Sequence, residues 1–461
     1  MQSASPRQAY DLVILGGGSG GYACALRAAE LGLTVALVER DLLGGTCLHR
    51  GCIPTKALLH TAEVADAARE SHRFGVRATL KSIDMAAVHA YKDGVVGRLH
   101  KGLQGLVGAA GIELVSGTGT LRSATEVEVE GRVLSGRHIV LATGSFARSL
   151  PDLPIGGRIV TSDEALTLSE VPDRVVVLGG GVIGVEFASI FASLGSAVTV
   201  LEALPRLVAG EDEDVSTQLH RAFRKRGITT RTGVSLQSAE QDGEGVTITL
   251  EPDEQLRADV LLVAVGRGPR TEGLGFAEAG VAMERGFVST DARLRTSLPG
   301  VYAVGDIVPG LQLAHRGFAQ GVFVAEEIAG LEPAVVQEEG IPRVTYSDPE
   351  IASVGLTQAQ AQERYGAASS SYTYNLAGNG KSQILGTAGF VKLVRVDDGP
   401  VVGVHMVGSR VSEQVGEAQL IVNWEALPED VAAHVHAHPT QNEALGEAHL
   451  ALAGKPLHAH G

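Results

Sequence analysis

The sequence predicts an α/β chain with two doubly wound halves followed by an α+β domain. Three observations predict it. A strand, a glycine-rich turn, a helical run and a second strand ending in an acid stand near the N-terminus. The same arrangement recurs in mid-chain, each marked position displaced by the same distance. From about Pro342 the texture changes to short β-type runs and then helical ones.

The first unit opens with the apolar strand Asp11–Leu15, followed by GGGSGG with Gly16, Gly18 and Gly21 in G-x-G-x-x-G positions. The run YACALRAAELG reads as a helix, and the strand TVALV leads to Glu39. Such glycines allow a sharp turn and close approach of a pyrophosphate to a helix N-terminus, and the acid is placed to accept from a ribose hydroxyl. The second unit repeats this with RVVVL, then Gly179, Gly181 and Gly184, then VEFASIFASLG and SAVTVL ending at Glu202. Two Rossmann-like dinucleotide-binding domains explain the pair better than glycines serving helix–strand packing alone. Glu202 suits a free ribose 2′-hydroxyl and repels a 2′-phosphate. It is followed by ALPRL, with no arginine pair and Arg206 as the nearby cation. The second unit is therefore expected to prefer NAD over NADP. The first unit runs into a cysteine pair, so its nucleotide is expected to be a flavin, which accepts electrons from a thiolate more readily than a nicotinamide does.

Thr55 to Gly111 reads as helical, with a break near Phe74 to Ser82. A β-rich stretch then ends in RHIVLATGSFARSLP, containing Gly144, and the comparable ADVLLVAVGRGPR, containing Gly266, closes the second unit. Each is expected to return the chain towards its cofactor. Pro151, Pro154 and the glycines at 156–157 suggest a boundary. In GVYAVGD, Asp306 follows an apolar strand; it suits a sugar or ribityl hydroxyl, and equally a turn or helix cap. The expected divisions are 1–150, 151–283, 284–341 and 342–461.

The chemistry centres on GGTCLHRGCIPTK. Cys47 and Cys52 stand just before a predicted helix, whose positive end favours a thiolate. A closed zinc site normally takes four ligands, often in two pairs, and the chain has 3 cysteines, the third being Cys24 in the first predicted helix. A redox disulfide is the reading preferred over a metal, and no metal site is expected. Near the C-terminus, HVHAHPTQNE places His438 five residues before Glu443, a spacing that suits an oriented general base. Taken alone, His434, His436 and His438 fit a polar, solvated turn at least as well. The tail AGKPLHAHG reads as mobile.

Composition removes several classes. With a net charge of -15 and 4% aromatic residues, the chain is a poor binder of nucleic acid. No apolar run reaches membrane-spanning length, and none precedes the first strand as a signal peptide would, so a cytoplasmic protein is expected. The 59 glycines fit many tight turns and close approaches to ligands.

Together, GGTCLHRGCIPTK, the two glycine units, VYAVGD and HPTQNE resemble the pyridine nucleotide–disulfide oxidoreductases, from about Tyr10 to about Ala453. Within that family the chain most resembles members that oxidise dihydrolipoyl groups. The resemblance implies tightly held FAD on the first unit, NAD+ or NADH on the second, a central domain at 284–341 completing the flavin site, and a C-terminal dimerisation domain. It implies a homodimer whose active site is shared between subunits. Cys47 becomes the thiol that exchanges with substrate and Cys52 the thiolate against the flavin. Lys56 lies near the flavin, paired with Glu186. Asp306 binds the ribityl chain with Ala314 nearby, and His438 is the base with Glu443 its partner. The implied partners are lipoyl domains of 2-oxoacid dehydrogenase or glycine cleavage complexes. An alternative is an NAD(P)H-dependent reductase of a small disulfide, such as glutathione or mycothione. Three departures stand out: His49-Arg50 between the thiols, Arg270 after the G-R-x-P motif, and Gln441-Asn442 in HPTQNE. A cation beside the thiols is expected to lower a thiol pKa or touch substrate.

Overall fold

The computed structural model describes residues 9–459, so the extreme N-terminus invoked against a signal peptide, and His460 and Gly461 of the tail, lie outside it. The chain divides into two compact units, both discontinuous: Met1–Ala57, Ala86–Arg148 and Arg267–Glu338 form one, and Leu58–Met85, Ser149–Gly266 and Glu339–Gly461 the other.

In the first unit the sheet runs Glu113–Ser116, Val35–Glu39, Ala9–Leu15, Arg132–Leu141, Glu126–Val129, Gly119–Ser123, with Val301–Ala303 also pairing with Arg132–Leu141. Ala9–Leu15 is parallel to both its neighbours. The chain moves from it first to one side and later to the other, so the turn at Gly16 lies at the switch point where such sheets bind ligands. The strand residues Leu12, Val13, Ile14 and Leu15 are almost wholly buried, as a doubly covered parallel strand requires. The Ser19–Glu30 helix packs against the Ala314–Ile328 helix through glycines. A Cβ on Gly321 would stand 2.3 Å from the Gly20 carbonyl oxygen, so the two backbones touch.

The second unit holds a parallel five-stranded sheet in the order Thr229–Thr232, Ala197–Glu202, Arg174–Leu178, Val260–Val263, Ile159–Thr161. Beside it lies an antiparallel three-stranded sheet, Leu236–Gln241, Val246–Leu250 and Glu254–Ala258. The C-terminal part is an antiparallel five-stranded sheet, Arg343–Thr345, Glu350–Gly355, Val401–Gly408, Phe390–Val396, Ser369–Asn375, covered by the helices Val411–Asn423 and Glu443–Leu452. The α+β texture expected beyond Pro342 is thus present. Lys392, on the sheet, is 2% exposed and pairs with Asp212 at 2.7 Å and Asp214 at 2.6 Å. Asp212 itself caps the Glu213–Lys225 helix. This ties the loop after the second nucleotide strand to the C-terminal sheet.

The helical region expected over 55–111 resolves into Cys52–Glu70 and Met85–Ala109, with a short 3-10 turn at Ser71–Phe74. Two expectations need correcting. Cys47 does not precede a helix: it lies inside a short one, Gly45–Arg50, and Cys52 begins the next. The described part of the tail is not loose, because Glu447 accepts from the His458 backbone N–H at 3.0 Å and bonds its imidazole at 2.8 Å.

Candidate active site and nucleotide sites

The two glycine turns share one construction. The Glu39 carboxylate accepts from Gly17 N–H at 2.7 Å and Asp41 N–H at 2.9 Å. The Glu202 carboxylate accepts from Gly180 N–H at 2.6 Å and Leu204 N–H at 2.7 Å. Each acid is therefore fixed by backbone, with lone pairs left for ribose hydroxyls. Within each fingerprint the glycines have separate reasons. Gly16 and Gly179 turn at φ 103 and 110, where a side chain is strained. A Cβ on Gly21 or Gly184 would strike the carbonyl oxygen of Gly16 or Gly179 at 1.8 or 1.9 Å. At Gly181 a Cβ would meet nothing, which leaves room for a ligand. The Ser19–Glu30 and Val182–Leu194 helices begin at Gly18 and Gly181 without side-chain caps, so their first N–H groups suit a pyrophosphate. These features fit a dinucleotide on each turn.

The first turn opens on a cavity lined by Gly16, Glu39, Arg40, Gly117, Thr143 and Arg270. Arg270, flagged in the sequence only as a departure, thus lines the first nucleotide site, its guanidinium 5.8 Å from the Phe146 ring centroid. The Gly144 carbonyl accepts from Arg270 N–H at 2.8 Å. Gly144 and Gly266 occupy matching places, each with positive φ just beyond a buried strand. Asp306 caps no helix. Its carboxylate accepts from Ser145 Oγ, whose oxygen also accepts from Arg267 Nε at 2.8 Å, placing Asp306 in the first unit beside the strand exit. Ala314 begins a helix that also lacks a side-chain cap.

In the second unit Arg206 answers the NADP question raised by the sequence. Its guanidinium donates to the carbonyls of Ala209 and Glu211 at 2.7 and 2.8 Å and to Ser216 Oγ at 2.6 Å. It is committed to bracing its own loop. Glu186, 3% exposed, accepts from Tyr346 N–H at 2.9 Å.

Cys47 and Cys52 carry separate thiols that share a hydrogen bond. That bond to Cys52 is the largest cause pushing Cys47 up; burial and the like charge on Cys52 add to it, and Lys56 opposes them. The two thiols titrate together, and a negative charge on one makes loss of the second proton harder. Tyr22 lies close enough that, after burial, both thiols raise its phenol; no local signal in the sequence pointed to it. The thiol-lowering charge expected of His49-Arg50 comes instead from Lys56. His49 Nε2–H donates to the Leu43 carbonyl at 2.9 Å and its ring meets His100 edge-on at 4.9 Å. Arg50 pairs with Asp41. The cation acting on Cys47 is Lys56. Cys24 is fully buried, its thiol pushed up to about 12 by burial, consistent with a core residue.

In the second unit His438 Nδ1 donates to Glu443 Oε1 at 2.8 Å, and Thr440 N–H donates to Glu443 Oε2 at 2.7 Å. Burial raises the Glu443 carboxyl, but the Thr440 N–H and His438 outweigh it and hold it below the ordinary value. The imidazole is exposed and its partner largely covered, leaving Nε2 to face outward. The solvated-turn reading is thus corrected: His436 is also engaged, bonding Glu417 at 3.0 Å with its side chain 12% exposed. Among the described residues no group of three or more His, Cys, Asp or Glu could hold a metal ion, and no helix is long and apolar enough to cross a membrane.

Comparison with known proteins gives concordant results. Residues 10–321 match the pyridine nucleotide-disulphide oxidoreductase model, and residues 341–449 its dimerisation domain. The chain is 39% identical to a dihydrolipoyl dehydrogenase of Bacillus subtilis, over 97% of this chain and 99% of that one. It is 40% identical to one from Chlorobaculum tepidum, over 97% and 98%. Among solved structures, LpdA from Mycobacterium tuberculosis superposes with a TM-score of 0.89 at 26% identity, covering 96% and 99%. The HOCl-induced flavoprotein disulfide reductase RclA from Escherichia coli gives 0.85 at 27%, covering 95% and 99%.

Proposed function

The chain belongs to the pyridine nucleotide-disulphide oxidoreductase family, and within it we propose a dihydrolipoyl dehydrogenase, oxidising dihydrolipoyl groups with NAD+ as final acceptor. The observation that carries the reading is the Cys47–Cys52 pair, two thiols sharing a hydrogen bond in the same compact unit as a dinucleotide turn. FAD fits Gly16, Gly18, Gly21, Glu39, Gly144, Asp306 and Ala314, with Lys56 beside the thiols. NAD+ fits Gly179, Gly181, Gly184, Glu202 and Gly266. The pairing of Lys56 with Glu186, and the four divisions expected from the sequence, belong to the same proposal.

The chain's own groups account for the thiol chemistry. His438, oriented through Nδ1 by Glu443, takes a proton at Nε2 from one substrate thiol. The thiolate attacks Cys47 Sγ of the oxidised pair; the Cys47–Cys52 bond breaks and its electron pair stays on Cys52. The second substrate thiol then attacks the sulfur joined to Cys47, closing the lipoyl disulfide and releasing Cys47, which takes up the proton that this thiol gives up. FAD, held by the first glycine turn and Glu39, would supply the two-electron redox chemistry between thiols and nicotinamide that the side chains lack. The C-terminal domain makes the protein a homodimer, and the exposed His438 is proposed to serve the thiol pair of the second copy. Lipoyl domains of 2-oxoacid dehydrogenase or glycine cleavage complexes, met in the cytoplasm, complete the proposal.

A small-disulfide reductase using NADPH is disfavoured by Glu202 and by Arg206 turning inward. Steady-state turnover decides between the two. Dihydrolipoamide with NAD+ is expected to exceed glutathione or mycothiol disulfide with NADPH; the reverse order overturns the reading.

A further inference from the structure

Two residues lie between the base and its nearest anchors, and the reaction as described uses neither. Gln441 is 8% exposed, and its Oε1 accepts from Ser382 Oγ at 2.7 Å; Ser382 is wholly buried. Ser382 N–H donates in turn to Asn379 Oδ1 at 2.8 Å, and Asn379 Nδ2 donates to the Thr440 carbonyl at 3.0 Å. The Gly380–Leu385 helix is thereby stapled to the loop holding His438. At Gly380 a Cβ would stand 3.9 Å from His438 Cε1, so this backbone forms a wall beside the imidazole.

Asn442 anchors the other side. It is the N-cap of the Glu443–Leu452 helix, and asparagine is among the best N-cap residues, yet it makes no capping bond. Its amide donates instead to Glu417 Oε2, while Glu417 Oε1 bonds His436. His436 lies against the same helix because residue 446 is glycine: a Cβ there would stand 2.5 Å from its Nδ1. Gln441 gives a second sign that stability is not the whole reason for these residues. Its Nε2 is buried with no hydrogen-bond partner, a condition that costs stability.

We infer that Gln441 and Asn442 are positioning residues that fix the His438–Glu443 pair from two sides, Gln441 through Ser382 and Asn442 through Glu417 and His436. The inference rests on the proposed function for its kinetic consequence, though not for its geometry. Loss of either anchor frees the imidazole by a fraction of an ångström to about 1 Å, and misplacement of that size costs up to about 100-fold.

The test uses the FAD-loaded dimer and the variants Gln441→Leu, Asn442→Ala and Ser382→Ala, the last cutting the first anchor from its other end. Turnover of dihydrolipoamide with NAD+ is expected to fall about 10-fold, mainly in kcat. NADH-driven reduction of a dye, which needs no thiol base, is expected to change less than about 2-fold. A second readout needs no turnover: the pH dependence of His438 carbethoxylation by diethyl pyrocarbonate, followed by peptide mass spectrometry, shifts in all three variants. Equal losses in both assays, or an unchanged His438 profile, overturn the inference. A wild-type protein inactive on dihydrolipoamide counts against the proposed function instead, and the His438 profile still decides the positioning roles.

Discussion

Replacing Glu202 with alanine is the sharpest probe of the second nucleotide site. Its carboxylate takes two backbone N–H groups, at 2.6 and 2.7 Å, and is thereby held where a ribose would meet it. A hydrogen bond to a charged group is worth about 1.5–3 kcal/mol, so NADH loses roughly 10- to 100-fold in affinity. NADPH has no such bond to lose. Its 2′-phosphate carries nearly two negative charges, and unit charges about 4 Å apart interact by about 1 kcal/mol in water and about 4 at a protein surface. Removing the acid therefore relieves at least about 2 kcal/mol of repulsion. Loosening of Gly180 and Leu204 affects both nucleotides alike and cancels in the ratio. The NADH/NADPH preference is expected to fall by at least about 100-fold. Stopped-flow reduction of the bound flavin by each nucleotide measures it. Equal losses, with the ratio unchanged, would refute the ribose argument. Arg206→Ala should leave the ratio alone, because that guanidinium is spent on Ala209, Glu211 and Ser216.

Two further outcomes follow. Cys47→Ser is expected to abolish dihydrolipoamide turnover while NADH-driven dye reduction continues; retained lipoamide turnover contradicts the role given to Cys47. Lys392→Met leaves Asp212 buried without its cation and is expected to cost about 3–5 kcal/mol, read as a lower denaturation midpoint with FAD bound. Burial raises the Asp212 carboxyl, but Lys392 and the Gln358 N–H outweigh it and hold it below its ordinary value. A depressed carboxyl stabilises the fold above its unfolded pKa and loses that contribution as pH falls through the folded value. The gap between wild type and variant must therefore narrow in acid, and a gap that widens there contradicts the pairing.

The nucleotide turns were legible in the sequence because their determinants are local. Gly16 and Glu39 belong to one strand–helix–strand unit, and the backbone bonds that fix Glu39 come from residues 17 and 41. The pattern thus carries the geometry with it. The His438–Glu443 pairing is local too, but its spacing alone fitted a solvated turn at least as well, and the family resemblance favoured it. What surrounds them was not legible. Gln441 finds Ser382, which is 59 positions away in the chain, and Lys392 finds Asp212 at 180; only the closed fold brings them together. The redox loop misled in a different way. His49-Arg50 looked like a charge aimed at the thiols, yet the short helix turns Arg50 to Asp41 and His49 to Leu43.

The interlocked glycines of the Ser19–Glu30 and Ala314–Ile328 helices also bear on how the protein is made. The first fingerprint leaves the ribosome early, but the helix that seats against it, and the strand Val301–Ala303 that completes its sheet, come nearly three hundred residues later. The intervening chain includes two segments of the other unit, Leu58–Met85 and Ser149–Gly266. A nascent chain released before Ala314 would expose the Gly20 face of its first helix without the helix that covers it. Synthesis should therefore pass through a long interval in which the N-terminal half is translated but cannot close, a window where chaperone contact matters most and where truncations are least tolerated.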